Sequence, residues 1–174
     1  PPELGNFAHL GYLYLGNNQL TGSIPPELGN LTELRALHLA DNQLTGSIPP
    51  ELGNLAVLQL LHLNGNQLSG GIPAELGNLT GLQSGWTDLR WNALYTSDAT
   101  LRAFLDSKQD GGNWEGTQTV VPTGVAAGSP SDSSLTVTWT PIGYTGDTGG
   151  YRVMYAQSSG GPYALYGTTA DKSA

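Results

Sequence analysis

The sequence contains no cysteine, which excludes disulfides, thiol catalysis and thiolate-bound metal together. Basic residues are scarce as well: Lys and Arg number 6 against 14 Asp and Glu, giving a formal net charge of −8. Phosphate backbones require a clustered cationic surface, so nucleic acid is excluded as a partner. No apolar run is long enough to cross a bilayer, so this stretch supplies no membrane-spanning segment. There is neither an initiator Met nor a secretory leader before Pro1, and the expectation is a chain truncated at its front. Chemistry-bearing motifs are missing too: no nucleophile elbow, phosphate loop, zinc-protease helix or calcium loop occurs. Carboxylates are present, but no buried pair is legible. These absences point away from an enzyme and from any cofactor or bound metal.

What the sequence does have is a period. PPELGN stands at Pro1, Pro25 and Pro49, and PAELGN comes next at Pro73, each start lying 24 residues after the last. Aligned in register, the units share the frame LxxLxxLxLxxNxLxGxIPxxLGN, as in the segment from Leu31 to Asn54. Leu37 and Leu39 alternate with a period of two, which predicts a short strand with both leucines pointing inward. Strands of successive units pair in parallel, and no unit can bury its apolar side without its neighbours. Asn18, Asn42, Asn66 and Asn92 recur just after these strands, where an amide can both donate to and accept from unpaired turn backbone. Two of the repeats also match a glycosylation sequon, at Asn30 and Asn78, but both matches fall inside the repeat consensus.

The segment LxGxIPxxLGNL resembles the plant-type leucine-rich repeat of receptor-kinase ectodomains and polygalacturonase inhibitors, over residues 1–95. The resemblance implies an α/β solenoid: a right-handed superhelix with a parallel concave sheet, a further short strand near LTGxIP, and ligand binding by exposed strand positions. Plant relatives carry cysteine-containing caps, which this chain lacks, so a bacterial relative is expected.

The last unit departs from the frame. Leu89, Asn92 and Leu94 arrive two residues late, so an insertion bulges near Gln83 to Trp86. Beyond it, Ser97 and Asp98 make a helix start, and Leu101, Phe104 and Leu105 share one face, which predicts a capping helix ending at Lys108. The domain reading is thus a solenoid with its cap over residues 1–108, then a Gly- and Asn-rich linker over residues 109–119 with Trp114 tucked against the cap.

Residues 120–174 alternate as strands at LTVTWT and YRVMY between Gly/Ser/Pro-rich loops. The placement of Pro122, Trp139 and GYRVMY is similar to the front of a fibronectin type III domain. That likeness implies a partial all-β, immunoglobulin-like sandwich with Trp139 in its core, about half of the seven strands such a domain has.

Lining up the strands gives columns of outward side chains, rungs being about 4.8 Å apart. The central column is Tyr14, His38, His62, Asp88. On one side lie Tyr12, Ala36, Leu60 and Trp86; on the other Gly16, Ala40, Asn64, Arg90, then Asn17, Asp41, Gly65, Trp91. Aromatics beside Arg on an exposed sheet have the composition of interaction hot spots. The candidate ligand-binding residues are therefore Tyr12, Tyr14, His38, His62, Asn64, Trp86, Asp88, Arg90 and Trp91. His38, His62 and Asp88 lack a fourth ligand, so no metal is expected there. The chain reads as a non-enzymatic binding or adhesion scaffold, extracellular or on the cell surface, that recognises a protein or glycan. The alternative is a non-catalytic targeting and spacer region of a larger secreted hydrolase.

Overall fold

The computed structural model describes residues 1–118 and, beyond them, the backbone of residues 123–127, 137–140, 152–155 and 164–168. The chain divides into two units, Pro1–Val120 and Val121–Ala174.

The first unit is a solenoid of stacked repeats, with two parallel sheets running along it. Its strands, in chain order, are β1 (Tyr12–Tyr14), β2 (Thr21–Ser23), β3 (Ala36–His38), β4 (Gln43–Gly46), β5 (Leu60–His62), β6 (Gln67–Gly71), β7 (Thr87–Asp88) and β8 (Ala93–Tyr95). Odd strands form one four-stranded parallel sheet, β1-β3-β5-β7, and even strands form a second, β2-β4-β6-β8. The first sheet keeps the repeat register, with Leu13 opposite Leu37 and Leu37 opposite Leu61. Each unit closes with a 3-10 turn, as at Pro26–Asn30 and Pro50–Asn54. Proline suits the first position of such a turn, because its φ is preset and its missing N–H would have had no partner.

Between the sheets and the turns runs one apolar core, in which Leu34, Leu37, Leu58 and Leu61 are fully buried. Glycine is required where the turns stack. A Cβ on Gly29 would lie 2.7 Å from the Cβ and carbonyl carbon of Glu51 in the next turn, and Gly5 and Gly53 meet Glu27 and Glu75 in the same way. At Gly77 the next turn is replaced by helix, and the nearest atom to an added Cβ is a Leu101 methyl at 3.9 Å.

The asparagines form the ladder expected of them. Asn42 donates to the carbonyls of Leu15 (2.9 Å) and Leu39 (3.1 Å) and accepts from the Leu20 N–H at 2.9 Å, so it ties its own unit to the preceding one. Asn66 and Asn92 repeat the pattern one unit on, accepting from Leu44 and Leu68 at 3.0 Å each.

The two extra residues of the last repeat are taken up in a turn around Gln83 to Trp86, which leaves Thr87 opposite Leu61 and Asp88 opposite His62. Helix α1 (Ala99–Lys108) starts at Asp98, whose carboxylate accepts from the N–H groups of Thr100 and Leu101 at 2.8 and 3.1 Å. Leu101 and Leu105 close the core.

Residues 109–118 read as linker in the sequence but fold back onto the solenoid. Gln109 bridges Thr87 in parallel, extending the first sheet by one rung. Trp114 is fully buried, and its indole N–H donates to Asp106 at 3.0 Å. Gln118 then takes the asparagine role, accepting from Leu94 N–H at 2.9 Å and donating to the Leu89 carbonyl at 3.0 Å. The cap is therefore a helix plus a pseudo-repeat, and the solenoid extends ten residues past Lys108.

The second unit contains two antiparallel pairs: β9 (Thr123–Ala127) with β10 (Val137–Thr140), and β11 (Arg152–Tyr155) with β12 (Ala164–Thr168). The core packing of Trp139, on which the fibronectin type III reading turns, lies outside the described residues, as does Pro122.

This packing has measurable consequences. Gly29→Ala should cost about 1–3 kcal/mol through backbone collision, whereas Gly77→Ala should stay within about 0.5 kcal/mol; urea unfolding of both variants is the comparison. Gln118→Ala should cost about 1–3 kcal/mol by orphaning the buried Leu94 N–H. A neutral result there would restore the linker reading.

Candidate functional site

The first sheet brings Tyr12, Tyr14, His38 and His62 into one row. Tyr12 and Tyr14, two apart on β1 and so on the same face, stack with ring centroids 6.3 Å apart and planes 11° from parallel. Tyr14 continues to His38 at 6.1 Å, and His38 meets His62 edge-on at 5.1 Å. The His38 ring leans over Gly16, where any Cβ would collide with it. Tyr12 and Tyr14 remain about 60% exposed. The row is an aromatic platform with polar edges, suited to stacking against planar or apolar groups of a ligand.

Asp88 ends this row but does not face solvent. The pseudo-repeat of the cap covers it, leaving 4% of the residue accessible. Arg90 grips both carboxylate oxygens, from Nε at 2.9 Å, Nη2 at 2.6 Å and its backbone N–H at 3.0 Å, and Gln109 adds a further donor at 3.1 Å. Burial pushes the Asp88 carboxyl up, yet the hydrogen bonds from Arg90 and Gln109 together outweigh it and hold the group below its ordinary value. The same hydrogen bond to Asp88 raises Arg90. Arg90 also donates to the Gly111 carbonyl at 2.7 Å. The expectation of Asp88 as an exposed contact is thus corrected: the pair fastens β7 to the cap. The composition of the 109–118 segment hid the donor, Gln109, that covers it.

Asn64 sits half-buried one rung from Arg90, its side-chain oxygen without a partner. Burial, then the neighbouring His38, lower the His62 pKa from 6.5, so the ring stays neutral in the folded chain near pH 7. Among the described residues no group of three metal-ligating side chains converges, and no helix is long and apolar enough to cross a membrane.

Trp86 and Trp91 flank β7 and are 44% and 50% exposed. Trp91 lies under the Arg90 guanidinium, 4.7 Å from carbon to ring centroid. Its backbone is unusual, with φ of 53°. The same left-handed position is held by Asn17, Asp41 and Gly65 in the earlier units, at φ of 56°, 55° and 65°. Asn, Asp and Gly tolerate this region, whereas a bulky side chain there costs about 1–2 kcal/mol. The Trp91 N–H donates to Thr117 of the cap at 3.2 Å, which helps hold the strained turn. Strain of this kind, persisting where the surroundings over-determine it, concentrates at functional positions. The recurrence of Asn, Asp and Gly at one position of the frame was the available signal for the left-handed turn, and so for the oddity of Trp91 and the relevance of Asp41.

Residues 9–54 match a family model described as leucine-rich repeats in two copies, and residues 57–79 match a leucine-rich repeat model. Similar solved structures include plant receptor ectodomains. PEPR1 bound to AtPEP1 is 48% identical over 54% of this chain and 13% of its own, with a TM-score of 0.51. The Arabidopsis receptor kinase HAESA, in complex with the peptide hormone IDA and the co-receptor SERK1, is 46% identical over 54% of this chain and 15% of its own, at 0.51. The ectodomain of SOBIR1 from Arabidopsis thaliana is 28% identical over 63% of this chain and 59% of its own, at 0.55. The chain thus spans less than two thirds of each of these three. No curated protein matches the sequence.

The two lowered pKa values set the pH behaviour. A neutral His62 contributes stability that is complete above its unfolded value of 6.5 and is lost as pH falls through the lower folded value. Asp88 contributes stability above 3.8 that disappears at still lower pH. The melting temperature should therefore be flat above pH 7 and decline in two stages on acidification. Melting curves of His62→Gln should lack the first stage; an unchanged profile would remove His62 as its source.

Proposed function

We propose that this chain is a non-enzymatic recognition scaffold that binds a peptide or protein on the outer face of its first sheet, at the end nearest the cap. The observation that carries the reading is the strained, half-exposed Trp91, set at the cap end of the face that also holds the Tyr12–Tyr14–His38–His62 row. Solenoids use extended repeat faces in this way, and exposed aromatics on a rigid sheet carry contact area at little entropic cost. The complexes of HAESA with a peptide hormone and of PEPR1 with AtPEP1 support a peptide-sized or protein ligand. The ectodomain character of the similar structures favours an extracellular or cell-surface location. In the same reading residues 120–174 are a partial fibronectin type III-like domain, and Tyr12, Tyr14, His38, His62, Asn64, Trp86 and Trp91 are contact residues. Asp88 and Arg90 act through the cap that they anchor.

The test uses a peptide selected from a display library against the full chain. Trp91→Ala should weaken that peptide by roughly thirtyfold, the effect of losing about 2 kcal/mol at an interface aromatic. Alanine keeps the Cβ that strains this left-handed turn and loses only the partly exposed indole, so the melting temperature should fall by no more than a few degrees. Affinity that survives Trp91→Ala, Tyr14→Ala and His62→Ala alike, but falls on changing Glu33 or Glu51, would place the binding surface elsewhere.

A further inference from the structure

We propose that Asp41, Gly65 and Trp91 form a subsite for a basic side chain, arginine or lysine, presented by the partner. This inference rests on the outer-face reading and names the chemistry that part of the face selects.

The three residues hold one position on successive rungs. His38 pairs with His62 and His62 with Asp88, and the N–H groups of Asp41 and Gly65 continue the same ladder to Asn64 and Arg90. Neighbouring rungs are about 4.8 Å apart, so Asp41 and Trp91 stand about 9.6 Å apart across the Gly65 rung, a gap that one extended basic side chain can fill. The middle rung carries no side chain. Gly65 leaves a notch into which the Asp41 carboxylate already leans, its carbon 3.3 Å from where a Cβ would be. That carboxylate is exposed and makes no hydrogen bond or ion pair among the described residues.

On the far side stands the indole of Trp91. One of its faces is covered by Arg90, whose charge is taken up by both oxygens of Asp88 and by the Gly111 carbonyl. With that guanidinium neutralised, the uncovered part of the ring can accept a second cation through its quadrupole. The Arg90 guanidinium is engaged with Asp88 and Gly111, which leaves the Asp41 carboxylate as the charge without a partner at the notch. A cation finds a carboxylate without a partner, an aromatic face and a molecule of net charge −8. Electrostatic complementarity of this sort sets which partner docks and in which register.

The experiment is an amide and indole NMR titration of the full chain with Gly-Arg-Gly blocked at both ends, against the Gly-Glu-Gly peptide. The arginine peptide should shift the Gly65 amide and Trp91 indole saturably, and the glutamate peptide should not. Asp41→Asn and Trp91→Ala should each weaken the arginine peptide by about two- to fivefold, the range expected of an exposed ion pair or cation–π contact. Gly65→Asn should weaken it by more than either. Asparagine tolerates the left-handed backbone, as Asn17 shows, while filling the notch and displacing the Asp41 carboxylate. Shifts that ignore these substitutions, or that map instead to the turns bearing Glu27, Glu51 and Glu75, overturn the subsite. A library-selected peptide that depends on Trp91 and Tyr14 but not on Asp41 or Gly65 overturns it too, while leaving the outer-face reading standing.

Discussion

Every unit of this solenoid must satisfy backbone groups that belong to the unit before it. The turn after each first-sheet strand leaves carbonyls and N–H groups with no partner in either sheet, and burial makes such groups costly. One amide, placed directly after the left-handed position, answers both needs by donating to carbonyls of two units and accepting from an N–H. Because each amide reaches backward, the stack is committed to continue until something supplies the last amide. That constraint explains Gln118. The final asparagine, Asn92, protects the unit of Leu68, so the unit of Leu94 still needs a donor and an acceptor. The cap therefore had to be more than a helix laid over leucines. It had to return a side-chain amide to the place where a fifth asparagine would stand.

Much of this was legible in the residues. A fixed period with leucines at constant offsets specifies stacked parallel strands, because register errors of one residue would turn the core outward. Asn42 and Asn66 were readable as a ladder for the same reason, and Asp98 with Leu101 and Leu105 announced a helix. Residues 109–118 were not readable, since the cues were spread thin: one buried Trp, one Gln in place of Asn, and Gly and Asn between them. The spacing held a hint, as Asn66 to Asn92 and Asn92 to Gln118 are equal steps of 26 residues. Missing the pseudo-repeat led directly to misplacing Asp88, whose outward position in the column is real but is covered by Gln109. Site reading fails first where a neighbour outside the repeat supplies the burial.

The distribution of bulk over the outer face has a packing cause as well. Within the stack, a side chain that leans toward a neighbouring rung needs a small residue there. His38 lies over Gly16, and Asp41 lies over Gly65. Large outward side chains on consecutive rungs must pack ring on ring, as Tyr14, His38 and His62 do, or lean over a glycine. The last strand is released from this rule on one side, because its neighbour there is the cap rather than another repeat. Trp86 and Trp91 flank this strand, at two positions that carry no tryptophan in the earlier units.

That freedom is also what lets the backbone at Trp91 hold an unfavourable conformation. Interior turns are tied to both neighbours by backbone hydrogen bonds, as at Asp41, whose N–H donates to the Asn64 carbonyl and whose carbonyl accepts from Asn18. At Trp91 the turn is also held from both sides: the Trp91 N–H donates to Thr117, the Arg90 carbonyl accepts from Gly65, and Arg90 itself is tied through Asp88 to Gln109 and through its own guanidinium to Gly111. The hydrogen bonds that make the cap a good end for the ladder thus immobilise the aromatic beside it. A rigidly held aromatic loses little entropy when a partner covers it, which is the condition for a contact residue to convert buried area into affinity. Structural closure and the display of a half-exposed aromatic are in this molecule consequences of one arrangement: an ion pair buried under the pseudo-repeat, with an indole on its rim.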